Sequence, residues 1–194
     1  MKKIVSLIGR TNVGKSTIFN RLVGKNKAIV SELEGLTRDR KISEISFNNK
    51  KLDLVDTGGF FSSKKNNFED LILLQAHEAL NSSDLILFVV DSKTGLTPYD
   101  KDLALMLRKS GKLVKLIINK IDVKDKGNIS TFNELGFKES IAVSAEHNIN
   151  FDLLKRYLSS FADSIESVSE ELINVCVLGK PNVGKSSTIN SLLD

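Results

Sequence analysis

Cysteine is nearly missing from this sequence. Cys176 is the only one in 194 residues, which excludes an internal disulfide and a cysteine-built zinc site. Its neighbours Val175 and Val177 give it the setting of a small buried strand residue. Long apolar runs are absent as well, since none approaches the length of about eighteen residues that crosses a bilayer. The start, Met1-Lys2-Lys3-Ile4-Val5-Ser6-Leu7-Ile8, has a basic tip and a short apolar stretch. It runs straight into a glycine motif with no small-residue cleavage site, so a signal peptide is rejected and the cytoplasm is the expected compartment. Only two histidines occur, His77 and His147, and neither has a neighbouring nucleophile or acid to recruit it. Charge of one sign does not accumulate either. The 28 Lys and Arg against 24 Asp and Glu leave +4, spread along the chain. That excess is compatible with an RNA-rich partner and proves none; neither a membrane nor DNA is expected as one.

What is present is repetition. Gly9-Arg10-Thr11-Asn12-Val13-Gly14-Lys15-Ser16-Thr17 returns, with small changes, as Gly179-Lys180-Pro181-Asn182-Val183-Gly184-Lys185-Ser186-Ser187, a domain's length further on. The expected organisation is a complete domain over 1–162, an acidic, serine-rich linker over 163–172 and the opening of a second domain over 173–194. That last piece would hold one strand, a phosphate loop and the start of a helix.

Between the repeats, short apolar runs rich in branched residues alternate with amphipathic stretches. Ile4 to Ile8, Leu52 to Val55, Leu85 to Val90, Leu113 to Ile118 and Ile141 to Val143 lack polar alternation, as strands buried on both faces of a parallel sheet do. Lys41 to Phe47 alternates, and Asn48-Asn49 can turn it into an antiparallel hairpin with the run at Leu52. Helices are expected at Lys15 to Val23, Phe68 to Leu80, Tyr99 to Lys109 and Phe151 to Phe161. The pattern predicts an α/β domain: a mostly parallel six-stranded sheet, helices on both faces and one antiparallel strand.

The chemistry sits at the ends of these runs. Gly9-x-x-x-x-Gly14-Lys15-Ser16 follows a strand and opens a helix, the context of a phosphate-binding loop and so of a P-loop NTPase G domain. Its glycines let backbone N–H groups face phosphate, and the helix N-terminus adds positive potential. Lys15 would reach the β- and γ-phosphates, and the Ser16 hydroxyl would ligate magnesium. Asn119-Lys120-Ile121-Asp122 follows the run at Leu113 and supplies the choice of base. The Asp122 carboxylate can accept from guanine's ring N–H and exocyclic amine, neither of which adenine presents on that edge. Asn119 would tie this loop to the phosphate loop, and the Lys120 stem would lie along the base. Asp56-Thr57-Gly58-Gly59-Phe60 ends another strand: Asp56 is placed to hold magnesium through water, and the Gly59 N–H to contact the γ-phosphate. Thr37 is the expected second hydroxyl on the metal. Ser144-Ala145-Glu146 would complete the guanine pocket through backbone N–H groups.

In this order, the motifs resemble the Era-like GTP-binding proteins, and the tandem repeat resembles the Der (EngA) family. Local matches include Thr37-Arg38-Asp39-Arg40-Lys41, Phe88-Val89-Val90-Asp91 leading to Gly95-Leu96-Thr97-Pro98, and Ser144-Ala145-Glu146-His147. The resemblance implies a GTPase switch in large ribosomal subunit assembly, with GTP and GDP as ligands, Mg2+ as cofactor and ribosomal RNA and protein as partners. The alternative is a nucleotide-binding fragment with negligible turnover. Phe60 stands where a water-orienting glutamine would be needed. The resemblance suggests K+ held by Asn12 instead, so that Lys15, Thr37, Gly59 and Asn12 form the expected catalytic set. Thr11 replaces the family's usual proline, which the second loop keeps as Pro181. The second loop is expected not to support hydrolysis, because no magnesium aspartate, threonine switch or guanine-reading motif follows it here.

Overall fold

The computed structural model describes residues 2–24, 41–47, 49–57, 77, 79–121 and 129–164. Strand β1 (Lys3–Ile8) leads into helix α1 (Lys15–Val23), then β2 (Lys41–Phe47) and β3 (Lys50–Asp56). After a helical stretch at 79–82 come β4 (Leu85–Asp91), α2 (Pro98–Lys109) and β5 (Leu113–Asn119). A 3-10 helix (Ile129–Leu135), β6 (Ser140–Ala142), α3 (Phe151–Phe161) and the two-residue β7 (Asp163–Ser164) complete the order.

The strands lie side by side as β2-β3-β1-β4-β5-β6. Along this row pairing is parallel except for β2 against β3, which meet antiparallel from Lys41↔Asp56 to Phe47↔Lys50. β4 shows why the sheet takes this form. Leu85, Leu87 and Val89 enter one apolar cluster with Ile18, Phe19 and Leu22 of α1 and Leu154 and Leu158 of α3. The alternate residues Ile86, Phe88 and Val90 enter the other, with Leu103, Ala104 and Leu107 of α2 and Phe132 of the 3-10 helix. A strand apolar on both faces needs a helix layer on each side. α1 and α3 keep the bounds expected of them, and α2 begins one residue early, at Pro98. There proline's missing N–H costs nothing, and Thr97 with Asp100 forms a capping box.

One small strand was not expected. Beside the six expected strands lies a two-residue seventh, just past the bound of 162 expected for the first unit: Asp163 and Ser164 pair antiparallel with Lys51 and Lys50 of β3. Pairing between β1 and β3 starts only at Lys3↔Leu52. The backbone of Lys50 and Lys51 on that side is left for β7 to satisfy. Most of the helix expected at Phe68 to Leu80, Asn48 of the hairpin turn and all of 165–194 lie outside the described residues.

Candidate functional site

Ligands of open α/β sheets collect at the carboxyl ends of the strands; here β3, β4 and β5 end in Asp56, Asp91 and Asn119, and their neighbour β1 runs from Ile8 straight into Gly9. Between β1 and α1 the loop borders a cavity of about 500 Å³ lined by Thr11, Asn12, Gly14, Lys15, Ser16, Thr17 and Lys120. Two glycines are required by contact. A Cβ on Gly9 would run into the carbonyl oxygen of Val89 in β4. Gly14 has φ 95° and is the N-cap of α1; a Cβ there would strike the Asn119 amide. Asn12 also adopts a left-handed turn, with φ 63°.

Asn119 explains the crowding at Gly14. Its Nδ2 donates to the Val13 carbonyl at 2.8 Å, and its Oδ1 accepts from the Ala145 N–H at 3.0 Å. One buried side chain therefore joins the phosphate loop to the Ser144-Ala145-Glu146 turn. Lys120 (φ 64°) reaches back with Nζ to the Asn12 carbonyl at 2.5 Å and to Asp91 Oδ2 at 2.8 Å. Ile121 donates its N–H to Val143 O at 3.2 Å, and Arg21 of α1 donates to the Glu146 carbonyl at 3.0 Å.

Lys15 is buried, and its Nζ donates to the carbonyls of Gly9 and Arg10, each at 2.8 Å. Burial lowers its pKa to about 8; the Asp56 carboxylate opposes that shift and the Arg10 guanidinium adds to it. Asp56 is 2% exposed at the end of β3, and the Thr57 hydroxyl donates to Leu7 O at 2.6 Å. Ser16 and Thr17 open α1 with exposed side chains. Thr37, Gly58, Gly59, Phe60, Asp122 and the second loop from Gly179 to Ser186 lie outside the described residues. Asp91 was not among the expected site residues. Its signal was its position, an aspartate closing a wholly apolar strand just as Asp56 closes β3.

A protein family described as 50S ribosome-binding GTPase matches residues 4–120. The chain belongs to this family. It is 43% identical to the GTPase Der of Finegoldia magna over 196 aligned positions, covering 100% of this chain and 45% of that protein. The Der resemblance expected from the repeated motif thus agrees with the name of this relative, and the chain spans about half the length of the curated relatives it matches. Among solved structures, Aquifex aeolicus Era bound to GDP.AlF4- superposes with a TM-score of 0.66 at 26% identity, covering 92% of this chain and 63% of that one. Era in complex with MgGDPNP and 16S ribosomal RNA nucleotides gives 0.67 at 26% identity, covering 94% and 61%.

In this 50S ribosome-binding GTPase family member, the donor set fits magnesium. An exposed hydroxyl at Ser16 and a buried carboxylate at Asp56 are hard oxygen donors, and Asp56 is close enough to act on the charge of Lys15. Among the described residues no group of three His, Cys, Asp or Glu gathers to hold a metal. Magnesium asks for no such cage, since it is usually held by one or two carboxylates, phosphates and water.

Gly14→Ala tests the shape of the loop. It would force a Cβ into the left-handed region and against a doubly tethered Asn119. Such strain costs about 1–3 kcal/mol, so GDP affinity, titrated by fluorescence, is expected to fall by about tenfold to a hundredfold.

Proposed function

We propose that this chain binds GTP and GDP with magnesium, hydrolyses GTP, and acts as a switch in assembly of the large ribosomal subunit from the cytoplasm. The observation that carries this reading is the double tether of Asn119. It holds a phosphate-type loop and the Ser144-Ala145-Glu146 turn in one frame, beside the strand end that leads to Asp122. The family description supports the ribosomal partner, and the nucleotides printed with the two Era structures support the ligand class.

The residues divide the work as follows. Lys15 places a point charge for the β- and γ-phosphates, and the turned backbone of Arg10 to Gly14 offers N–H donors. Ser16 and Asp56, with Thr37, would hold the magnesium ion, which when bound neutralises charge between the phosphates. Lys120 and Ile121 lead to Asp122, the proposed reader of guanine. Phe60 has no group to orient water. We assign that deficit to K+ beside Asn12, whose backbone is fixed by Lys120. A cation there would offset the charge developing at the β–γ bridge.

Three measurements test this. Fluorescent GDP should be displaced by GTP and not by ATP, and single-turnover hydrolysis should be detectable with magnesium. Turnover should be faster in potassium than in sodium, with Asn12→Ala removing the difference. Displacement by ATP would overturn the choice of base. Tight GTP binding without hydrolysis, alone or with ribosomal subunits, would leave a nucleotide-binding module. Equal rates in the two salts would remove the potassium step.

A further inference from the structure

We infer that Arg10 is a positioning residue for the phosphate loop, gripped from the other face of the sheet by Asp100 in the first turn of α2 and by Thr94 just before that helix. The inference rests on the nucleotide reading above and adds an anchor that the loop motif does not contain.

The geometry is a relay. The Arg10 side chain is not among those lining the cavity. It turns away, sets Nε 3.4 Å from Asp100 Oδ2, and donates through a terminal nitrogen to the Thr94 hydroxyl. Its main-chain carbonyl accepts from Lys15 Nζ at 2.8 Å. The first turn of α2 is therefore linked through one arginine to the phosphate-binding lysine. α2 packs in the cluster around Phe88, and α1 in the cluster around Leu87, so the link crosses from one helix layer to the other.

Helix capping accounts for only part of this arrangement. Asp100 Oδ2 accepts from the Thr97 N–H at 3.0 Å and from its hydroxyl at 2.8 Å. An asparagine oxygen could accept both. The helix N-terminus also favours a negative charge there; what the cap leaves unexplained is why that carboxylate, at 0% exposure, is set against Arg10. Nor is the pair fully bonded, because Arg10 Nε and Asp100 Oδ1 are both buried without a hydrogen-bond partner. A pair with one partner fully buried, the other partly so, and hydrogen-bonding capacity left over is a weak stabilising device and a good locating one. What it locates is the stretch from Arg10 to Asn12, where the loop turns into its left-handed conformation.

The test uses the whole chain loaded with fluorescent GDP, with release followed well below the thermal midpoint. Asp100→Asn keeps an acceptor for Thr97, removes the charge facing Arg10 and puts an NH2 in place of the unpartnered Oδ1. It and Arg10→Met are each expected to speed release about tenfold and to raise the KM for GTP, with kcat changing less than twofold, as loss of uniform binding does. The double variant should release no faster than the faster single one, because the two side chains act as one unit. Arg10→Lys should recover part of the loss. If Arg10→Met does not fold, Thr94→Val, which removes one grip on the guanidinium, should still speed release measurably. Release at the wild-type rate in the single variants, or effects that multiply in the double one, would overturn the inference while leaving the nucleotide reading intact. A wild-type chain that fails to bind fluorescent GDP would overturn both.

Discussion

Asn119→Ala is expected to cut GDP affinity by at least about a hundredfold and to lower the thermal midpoint together with it. The substitution removes both tethers at once and leaves the Val13 carbonyl and the Ala145 N–H without their partner. Val13 is 0% and Ala145 1% exposed, so water cannot easily take over. An orphaned buried group costs about 1–3 kcal/mol, and there are two of them. For a unit of this size the midpoint should fall by roughly 5–15 °C. The affinity loss follows from the same atoms: a phosphate loop no longer tied to the Ser144 turn must be ordered again by the ligand. Asn119→Asp separates the two tethers. Its carboxylate still accepts from Ala145 N but sets a charge against the Val13 carbonyl, so the phosphate-loop side should fail while the other bond survives. Calorimetric titration with GDP beside a thermal melt checks this. Wild-type affinity in Asn119→Ala would mean that the tethers do not shape the site.

Much of this was legible in the sequence wherever the apolar pattern was strong. β4 had to be a central strand because six apolar residues in a row need cover on both faces. α3 could be bounded from Phe151, Leu154 and Leu158, which are buried at spacings of three and four. The phosphate loop was legible because its glycines answer to sterics as well as to ligand. The polar half was harder to see. β7 consists of Asp163 and Ser164, which carry no apolar signal; backbone pairing to Lys50 and Lys51 defines it. β5 contains Lys115 among buried residues, which periodicity would place in water. It is kept by an ion pair to Glu139 at 2.5 Å and by the Tyr157 ring, whose centroid is 4.6 Å from Nζ. Leu113, at the start of the same strand, is 51% exposed. The pairs Asp91–Lys120 and Arg10–Asp100 join residues far apart in the chain, where only the fold decides which opposite charges meet. Local spacing marks groups that share a helix face or a loop, and it is silent about these.

Asp122→Asn should exchange one nucleotide for another. Ile121 before it is 7% exposed and pinned through its N–H to Val143 O, so the chain enters Asp122 from a fixed point beside the Ser144 turn. A carboxylate following that point would accept from guanine N1–H and from the exocyclic amine, two charge-assisted bonds to one edge. The asparagine amide offers one acceptor and one donor. Against guanine its NH2 meets the exocyclic amine, donor to donor, and one bond is lost with a second group left unpaired. Against xanthine, whose C2 carries a carbonyl, the same NH2 finds an acceptor while the amide oxygen still takes the N1–H. Sites that read a substrate by buried hydrogen bonds discriminate by about 10⁴. GTP affinity is therefore expected to fall by roughly a thousandfold or more in Asp122→Asn, with xanthosine triphosphate becoming the preferred ligand. Competition of the two triphosphates against fluorescent GDP and fluorescent xanthosine diphosphate measures both arms. The phosphate loop and the residues proposed to hold magnesium are untouched by the change, so hydrolysis should follow the new nucleotide at a rate near that of the parent with GTP. Unchanged GTP affinity would mean that some residue other than Asp122 reads the base.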